Sequence, residues 1–445
     1  MTAAVATAAI TGSGLAARKA LRDARVRGIA FAVLALAAVY FAFVATTVTK
    51  AGVVQHGFDI AATFQFWVHE RGGDAVTIQT TVGLMWVIAA ICSAIVAALQ
   101  LIRGATLPWR RWLILVIAPW IAALLANILN GKTATLTNVI GGSLELATPI
   151  SMAAMAGILS ERSGMFNIAL EGKLLIGAFS ASVASSLVNI ATGNILLATL
   201  VGIAAAMLAA GLTGLLLAWL GIRHKVDQII AGTVINIGAS GITSFLFLRL
   251  LQHNTKYNSP PSVQPFALPV LSDIPILGPI LFEAKPYVYV GYILVIVLTY
   301  MIYRTRWGLR LRAAGEKPAA AGTVGINVLA IRYRSLFYAG LITGLAGSYL
   351  SLATSGSFQM DMAAGKGFIG LAAVIFGAWH PVGAFFAAVV FGFAENMQSL
   401  LNILGVGVAP QILNSVPYVV TIVVVAGIVG RVRGPASAGL PYEQG

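Results

Sequence analysis

The chain has 445 residues, of which 59% are hydrophobic and only 9% are charged, and its mean hydropathy is +0.90. A soluble globular protein carries roughly 25% charged residues, so this composition excludes a soluble enzyme, a disordered protein and a disulfide scaffold. The net charge of +14 would suit nucleic acid only if the basic residues shared one accessible face. We therefore expect an integral membrane protein that lies in a lipid bilayer and binds no nucleic acid.

Ten apolar runs and two shorter ones predict an all-α, multi-pass membrane protein with about 10–12 transmembrane segments. A helix needs roughly 20 apolar residues to cross the bilayer core, because lipid offers backbone amides no hydrogen-bond partner. The two shorter runs, Phe368–Trp379 and Val382–Phe393, flank His380-Pro381 and predict a broken helical hairpin. The ten longer runs are Ile29–Val48, Thr81–Ile102, Leu113–Ile128, Val139–Leu159, Phe166–Leu187, Ile195–Leu220, Ile229–Leu251, Tyr287–Tyr303, Leu336–Ala353 and Val416–Val429.

Lysine and arginine residues set the predicted orientation, because short cytoplasmic loops carry an excess of them. Five basic residues precede the first run, which places the N-terminus in the cytoplasm. Twelve alternating segments then place the C-terminus there too, and twenty of the 28 basic residues fall on that side. The first run is longer than the apolar core of a signal peptide, which favours an uncleaved anchor.

Three segments between the runs lack a spanning pattern. Thr49–Thr80 is predicted as a polar outside loop, and Gln252–Pro286 as a longer outside segment that contains seven prolines. Arg304–Arg334 is predicted as the large cytoplasmic loop. A channel or a secondary transporter could function with smaller loops, so the last two segments indicate docking surfaces for other proteins.

A weak internal repeat is visible when the chain is shifted by 193 residues. The shift aligns Gly172-Lys173 with Gly365-Lys366, and Ile176-Gly177 with Ile369-Gly370. Both stretches begin apolar segments that the predicted topology enters from opposite sides, as in an inverted repeat with a substrate path near the membrane midplane. Coincidence in a chain rich in glycine and isoleucine remains the alternative.

The run Ser160–Gly172, which reads SERSGMFNIALEG, places ionisable residues at the predicted cytoplasmic end of a span. Such residues are costly inside a membrane and usually face a helix bundle or a cavity. Glu161 and Arg162 are predicted to lie at the membrane interface. Phe166, Asn167 and Glu171 are candidates to line or brace a pathway, and the alternative is that the two polar residues cap and tie neighbouring helices.

This run resembles the signature of permease subunits of ABC importers for nucleosides, simple sugars and branched-chain amino acids, and is most similar to the nucleoside type. Ala147-Thr148-Pro149 precedes it, and two further motifs, Arg306–Ile326 and Gly367–Gly383, follow in order. The resemblance covers about Thr137 to Val432 and implies a permease core at 137–432, an N-terminal extension of three transmembrane helices at 1–136, and a cytoplasmic tail at 433–445. It also implies a bacterial inner (plasma) membrane location.

The resemblance implies that the loop at 304–334 contains the coupling helix, which binds a cleft of the ATPase subunit. Lys317-Pro318 suits the start of a short helix, because proline is tolerated in the first turn, and Gly322 suits its end. The alternative is an ordinary solvated loop. The candidate coupling residues are Arg310, Arg312, Gly315, Glu316, Pro318, Ala319 and Ala320.

Two further signals concern helix packing. Gly340 and Gly344, four residues apart, predict a close approach of helices within the chain rather than dimerisation. Asn236 lies inside a span and is predicted to form a hydrogen bond between helices.

The predicted function is translocation in an ATP-driven importer, with a separate cytoplasmic ATPase, an outside substrate-binding protein and a second, homologous permease in a heterodimer. No catalytic, metal or cofactor site is predicted, because the histidines are scattered and Gly131-Lys132-Thr133 lacks the earlier glycine of a phosphate loop. A nucleoside is the expected substrate; the alternatives are a sugar or branched-chain amino acid permease, and a stand-alone secondary transporter. The candidate path residues are Phe166, Asn167, Glu171, Gln359 and Lys366.

Overall fold

Apolar runs of bilayer length fold as helices in the part of the chain that the structure describes, as the need to satisfy backbone amides in lipid requires. The computed structural model describes residues 2–45, 47–50, 53–56, 58–68, 74–104, 109–129, 133–404 and 433–442. Within these ranges, nine helices are long and apolar enough to cross a membrane. They are Ala20–Val44, Val82–Arg103, Leu136–Glu161, Leu170–Thr192, Ile195–Ile222, Gln228–Leu251, Pro286–Arg304, Val328–Ser355 and Pro381–Ile403.

The chain is thus a mostly helical, multi-pass membrane protein, as predicted. The expected span Val416–Val429 lies outside the described residues. The chain divides into two compact units, one formed mainly by Met1–Trp67 and Asp74–Leu136 and the other mainly by Thr137–Ile403.

The first unit combines three helices with short strands. Its helices are α1 (Thr2–Tyr40), α2 (Val82–Arg103) and α3 (Trp109–Leu129), and its strands are β1 (Thr47–Lys50), β2 (Val53–His56), β3 (Ala61–Trp67), β4 (Ala75–Thr81) and β5 (Thr133–Thr135). β1 pairs with β2, and β3 lies between antiparallel β4 and parallel β5. These strands correct the prediction of a plain loop at Thr49–Thr80 in an all-α chain. The signal was an alternation in β3, where Ala62 and Phe64 are buried and are followed by the polar residues Thr63 and Gln65.

The second unit contains the remaining helices and one two-stranded ribbon. The ribbon is formed by β6 (Phe266–Ala267) and β7 (Glu283–Ala284). π-helical turns at Phe247–Leu251 and Tyr349–Ser355 extend α7 and α12. The helices are α4 (Leu136–Glu161), α5 (Leu170–Thr192), α6 (Ile195–Ile222), α7 (Gln228–Leu246), α8 (Leu277–Leu281), α9 (Pro286–Arg304), α10 (Arg306–Glu316), α11 (Pro318–Thr323), α12 (Val328–Ser348), α13 (Lys366–Phe376) and α14 (Pro381–Leu404).

Local sequence explains where several of these helices begin. The side chains of Asn194, Asp227 and Asn327 accept hydrogen bonds from backbone amides in the first turns of α6, α7 and α12. Such caps satisfy donors that have no partner within the helix. Pro286 opens α9 and Pro318 opens α11, positions at which proline loses no hydrogen bond.

Two predicted boundaries are wrong. The span expected at Phe166–Leu187 begins at Leu170, so Phe166 lies in the preceding turn. The second arm of the expected hairpin, Val382–Phe393, is only the first half of α14, which has 24 residues and is long enough to cross a bilayer. Polar residues interrupt the apolar run of α14 after Phe393, and the helix continues because these side chains find partners within the fold.

Helices α5, α6 and α12 pack closely at glycines. A Cβ atom added at Gly340 or Gly344 of α12 would collide with the backbone oxygen of Ala210 or Ala206 of α6. Gly177 of α5 would meet Gly344 in the same way. The two glycines of α12 therefore serve packing within the chain, as predicted, and small residues at such contacts let backbones approach closely.

We expect Gly344→Ala to lower the free energy of unfolding by about 1–3 kcal/mol, because the added methyl group overpacks this contact. The matched control is Gly241→Ala on α7, where an added Cβ has open space within 4 Å. Thermal unfolding of the two purified variants in detergent checks the difference. Equal stability of the two variants would contradict the packing described here.

Candidate functional site

The turn between α4 and α5 is buried and tightly folded. The Ser163 hydroxyl donates to the Ser160 carbonyl at 2.6 Å, and the Gly164 amide donates to the Glu161 carbonyl at 2.9 Å. Gly164 has a φ of +88°, which favours glycine, and a Cβ there would lie 2.7 Å from Arg332 Nη2. The SERSG sequence therefore specifies a compact turn that packs against α12.

Glu161, which the sequence predicts at the membrane interface, is fully buried within the protein at the start of this turn. Its Oε2 atom accepts a hydrogen bond of 2.6 Å from the indole Nε1 of Trp379. Trp379 lies in the break between α13 and α14, with a φ of +54° that is unusual for a bulky residue. The contact spans 218 residues of sequence and joins the turn to the break.

Arg162 connects the turn and the break before α14 to helix α10, which is not among the candidate spans. Its Nη2 atom donates to the Trp379 carbonyl at 3.1 Å and to the Tyr303 hydroxyl at 3.2 Å. Its Nη1 atom lies 3.9 Å from Oε1 of Glu316 at the end of α10. A Cβ at Gly315 would collide with the Arg162 carbonyl, so α10 is seated directly on the turn. Arg162 thus links the segment Arg304–Arg334 to the break before α14.

The predicted coupling residues fall on two faces of this segment. Arg310, Glu316, Ala319 and Ala320 are exposed, and Gly315 is buried against the turn. The guanidinium of Arg312 lies 5.3 Å from the centre of the Tyr303 ring, so it packs inward. Pro318 is the first residue of α11, as the sequence predicted. The face of α11 that presents the small side chains of Ala319 and Ala320 is therefore exposed. Helix α10, in contrast, packs against the turn through Gly315.

His380 follows the break and stacks on Tyr303, with ring centres 4.8 Å apart. Burial and the nearby Arg162 guanidinium lower the pKa of His380 below its usual value. The imidazole is accordingly neutral at pH 7, which avoids a second positive charge beside Arg162.

Two of the predicted path residues lie in the turn instead of at an open surface. Asn167 is fully buried, and its Oδ1 atom accepts a 2.8 Å hydrogen bond from Nζ of Lys173, which is also fully buried. The Phe166 amide donates to Oε1 of Gln228 at 2.6 Å. A Cβ at Gly439 would lie 3.8 Å from Phe166 Cβ, so this residue faces the C-terminal segment.

Glu171 and Asn236 each tie a helix start to a neighbouring helix. The Glu171 carboxylate accepts hydrogen bonds of 2.7 Å from the amides of Gly365 and Gly367, so it caps α13 from α5. Asn236 of α7 accepts a 2.8 Å bond from the Gly172 amide and donates at 2.9 Å to the Ile168 carbonyl. The prediction of an interhelical hydrogen bond from Asn236 is confirmed.

Lys366 forms an ion pair with Glu395 of α14, and the distance between Nζ and Oε1 is 2.7 Å. Glu395 lies fourteen residues after Pro381 and eight before Ile403, close to the middle of its span. Sequence reasoning missed Glu395, because the apolar run was taken to end at Phe393. A helix of bilayer-spanning length counted from Pro381 would have included Glu395.

Asp361 is a second deep carboxylate that sequence reasoning missed. Its Oδ1 atom accepts a 2.6 Å hydrogen bond from the hydroxyl of Ser240, which lies twelve residues after Gln228 and eleven before Leu251 in its span. Asp361 and the predicted path residue Gln359 are both exposed. Sequence reasoning named Gln359 in this segment but not Asp361, although this carboxylate lies between two apolar segments.

Glu171 therefore binds Gly365 and Gly367, the residues on either side of Lys366. Gln359 lies in the exposed segment that precedes them. Phe166 and Asn167 belong to the turn instead. No group of three or more His, Cys, Asp or Glu side chains within the described ranges is placed to hold a metal ion.

Spanning helices, an ion pair between Lys366 and a span, and a packed turn that seats α10 are features that suit a multi-pass transport permease. Residues 139–426 match the family described as branched-chain amino acid transport system, permease component. The chain belongs to this family of ABC transporter permeases, whose members are non-catalytic transport subunits.

Three relatives each match about two thirds of the chain or more. The guanosine ABC transporter permease protein NupQ of Bacillus subtilis (strain 168) is 37% identical over 321 residues, which are 70% of this chain and 98% of NupQ. The nucleoside ABC transporter permease protein NupC of Lactococcus lactis subsp. cremoris (strain MG1363) is 34% identical over 329 residues, 71% of this chain and 98% of NupC. The putative glucose ABC transporter permease protein TsgC13 of Haloferax volcanii is 30% identical over 311 residues, 66% of this chain and 92% of TsgC13. No solved structure matches the chain.

We expect Asn236→Ala to lower the free energy of unfolding by about 1–2 kcal/mol, because the two backbone groups that Asn236 binds lose their partner. The matched control is Thr233→Ala, one turn away, since the Thr233 hydroxyl bonds only within its own helix. Unfolding of both variants in a titration with denaturing detergent measures the effect. A loss of the same size in the control would contradict a role for Asn236 in holding α5.

Proposed function

We propose that this chain is the translocation subunit of an ATP-driven importer, with nucleosides as its substrates. The observation that carries the proposal is the link made by Arg162. This residue contacts Glu316 at the end of α10 and the Trp379 carbonyl in the break before α14. A push on α10 and α11 by a separate ATPase subunit would reach the membrane-embedded helices through this link.

The coupling surface is proposed to be α11 with the end of α10. Ala319 and Ala320 are exposed and small, so α11 fits a narrow cleft on an ATPase partner. Arg310 and Glu316, also exposed, offer charge pairing at its border. Gly315 and Pro318 set the geometry beneath this surface, since one seats α10 on the turn and the other starts α11.

The proposed orientation places the coupling surface and both termini in the cytoplasm. The excess of basic residues on that side of the predicted topology supports it. The segment 433–442 contacts α10, which supports placing the C-terminal residues on the same side as the coupling surface. The plasma membrane of a bacterium is the proposed location.

The substrate path is proposed to run past Asp361. An exposed carboxylate at the depth of Ser240 cannot face lipid, because a charge at the middle of a bilayer is costly. It therefore faces water or another protein subunit. We assign it to a water-filled path between this chain and a second, homologous permease, which would cover the exposed face in a heterodimer.

The residues around Asp361 suit a nucleoside. Gln359 and Asp361 provide polar groups for sugar hydroxyls, and the exposed side chains of Met360 and Phe368 provide apolar surface for a base. Lys366 and Glu171 brace this surface from behind through the contacts described above. Asn167 and Phe166 are assigned to bracing the turn.

The proposed substrate class is inferred from the substrates for which the relatives are named. NupQ and NupC are named for guanosine and nucleosides, whereas TsgC13 is named for glucose. A sugar hydroxyl would suit Asp361 equally, so a sugar permease is the second candidate, and a branched-chain amino acid permease the third. An outside binding protein, docking on 252–286, would make the selection.

Two finer architectural features are also proposed. When the chain is aligned with itself at a shift of 193 residues, the end of α4 falls at the end of the helix Val328–Ser355. In the same alignment, the start of α5 falls close to the start of α13. This correspondence supports an inverted repeat in which α13 and α14 form a broken hairpin. The permease core is proposed at 137–432, after an N-terminal extension at 1–136 and before a tail at 433–445.

The rival function is secondary transport by this chain alone. Glu395 and Asp361 strengthen it, since coupling to an ion needs deep carboxylates. The Lys366 ammonium already neutralises Glu395, however, and a stand-alone transporter leaves the exposed face of α11 without a role.

Uptake into vesicles tests the function directly. Vesicles containing this chain, its second permease and the ATPase, with the binding protein added, should accumulate a nucleoside only when ATP and the ATPase are present. We expect Ala320→Trp to abolish this uptake with normal membrane insertion, because the bulky ring cannot enter a narrow cleft.

The matched control for this experiment is Ala320→Ser, which keeps the side chain small and should retain uptake. Accumulation driven by an ion gradient without the ATPase would refute the importer assignment and favour secondary transport. Full activity of Ala320→Trp would refute the coupling surface alone.

We expect Asp361→Asn to lower nucleoside uptake by about tenfold, because a hydrogen bond to a charged acceptor contributes roughly 1.5–3 kcal/mol. The loss should be larger for a ribonucleoside than for its 2′,3′-dideoxy analogue, which lacks the hydroxyls. Asp74→Asn, an exposed carboxylate in the first unit, is the control. Equal loss for both substrates would contradict recognition of the sugar by Asp361.

A further inference from the structure

The C-terminal segment 433–442 lies across the coupling helices. The Ser437 hydroxyl donates to the Gly315 carbonyl at 2.6 Å, and the Ser437 amide donates to the same carbonyl at 2.9 Å. The Ala436 amide lies 3.3 Å from Oε2 of Glu316 and donates to it. Ser437 is 5% exposed, so these bonds are largely shielded from water. The segment therefore supplies partners for the carbonyls at the end of α10.

A second anchor is formed by Tyr442 and Arg332. Tyr442 packs on the cluster formed by Ala314, Ala321 and Val328, which come from α10, α11 and α12. The buried Arg332 guanidinium lies 5.8 Å from the centre of the Tyr442 ring, and its Nη1 atom donates to the Leu440 carbonyl at 3.1 Å. One aromatic ring thus contacts three helices.

The same segment also reaches the turn and the break before α14. A Cβ at Gly434 would lie 2.9 Å from the Trp379 ring, and the approach of Gly439 to Phe166 has been described above. Residues 433–442 therefore lie against α10, the cluster that includes Ala321 of α11, the turn at Phe166 and the break at Trp379.

Helix α11 has only six residues, too few to be stable by its own hydrogen bonds. Its position must come from packing, and Tyr442 contributes to that packing through the cluster that contains the buried Ala321. A partner that pushes on α11 would displace it locally unless α11 were held to α10 and to the turn.

We propose that residues 433–442 form a strap that holds α10 and α11 on the membrane-embedded turn, with Ser437 and Tyr442 as positioning residues for coupling. This inference rests on the proposed function, because it concerns the same coupling surface. When the strap is loosened, the ATPase partner still binds and hydrolyses ATP, but its motion no longer moves the spans.

The test compares substrate transported with ATP hydrolysed in vesicles that contain the complete importer. We expect Tyr442→Ala to lower the number of nucleosides transported per ATP by about tenfold, a usual size for coupling between sites, while ATP hydrolysis persists. Tyr442→Phe, which keeps the ring, and Arg433→Ala, an exposed position in the same segment, should keep the wild-type ratio.

A second measurement concerns the purified chain. Amide hydrogen exchange in residues 306–323 should accelerate in Tyr442→Ala and remain unchanged in Tyr442→Phe. An unchanged transport ratio would overturn the proposal, as would a parallel rise in transport and hydrolysis, which would indicate an inhibitory tail. Parallel loss of both activities would also overturn it, since the segment would then serve only assembly. Absence of ATP-driven uptake by the wild type would instead refute the proposed function.

Discussion

The hydrogen bond from the Trp379 indole to the buried Glu161 carboxylate is the contact on which the second unit depends. It joins the turn after α4 to the break before α14, and Arg162, next in sequence, holds the Trp379 carbonyl. Oε1 of Glu161 is buried and has no hydrogen-bond partner among the described residues. A half-satisfied carboxyl group in the interior costs free energy, and such groups concentrate at functional sites. The contact also gives α10 a fixed base, because Gly315 packs on the Arg162 carbonyl.

Charge at mid-membrane depth is managed by pairing. Lys366 is matched with Glu395, and Glu171 is satisfied by the backbone amides before and after Lys366. Asp361 departs from this pattern, because its carboxylate is exposed and its observed partner is the Ser240 hydroxyl. The difference separates residues that stabilise the helix starts from Asp361, and it supports the proposed assignment of Asp361 to the substrate path.

Close packing of glycines makes the helix pairs rigid enough to transmit motion. Helices α5, α6 and α12 approach until backbone meets backbone at Gly340 and Gly344, and interiors of this density shift as whole elements. The strap at 433–442 would extend the same rigidity to α10 and α11. An impulse at α11 would then be carried by a continuous body of packed residues rather than by a flexible loop.

Composition and apolar run length were sufficient to predict the membrane class and most of the spans. The resemblance together with the tolerance of proline in a first turn predicted the start of α11 at Pro318, and the spacing of Gly340 and Gly344 predicted their packing within the chain, because these features depend on local rules of helix geometry. The three ordered motifs were sufficient for the family. Only the tertiary structure decided that Glu161 is buried, that Asn167 pairs with Lys173, and that Ser240 meets Asp361. Two of these contacts, Ser240 with Asp361 and Trp379 with Glu161, join residues 121 and 218 positions apart, and such partners leave no periodicity along the chain. Asn167 and Lys173 are only six residues apart, but they meet because the turn before α5 folds back on the helix.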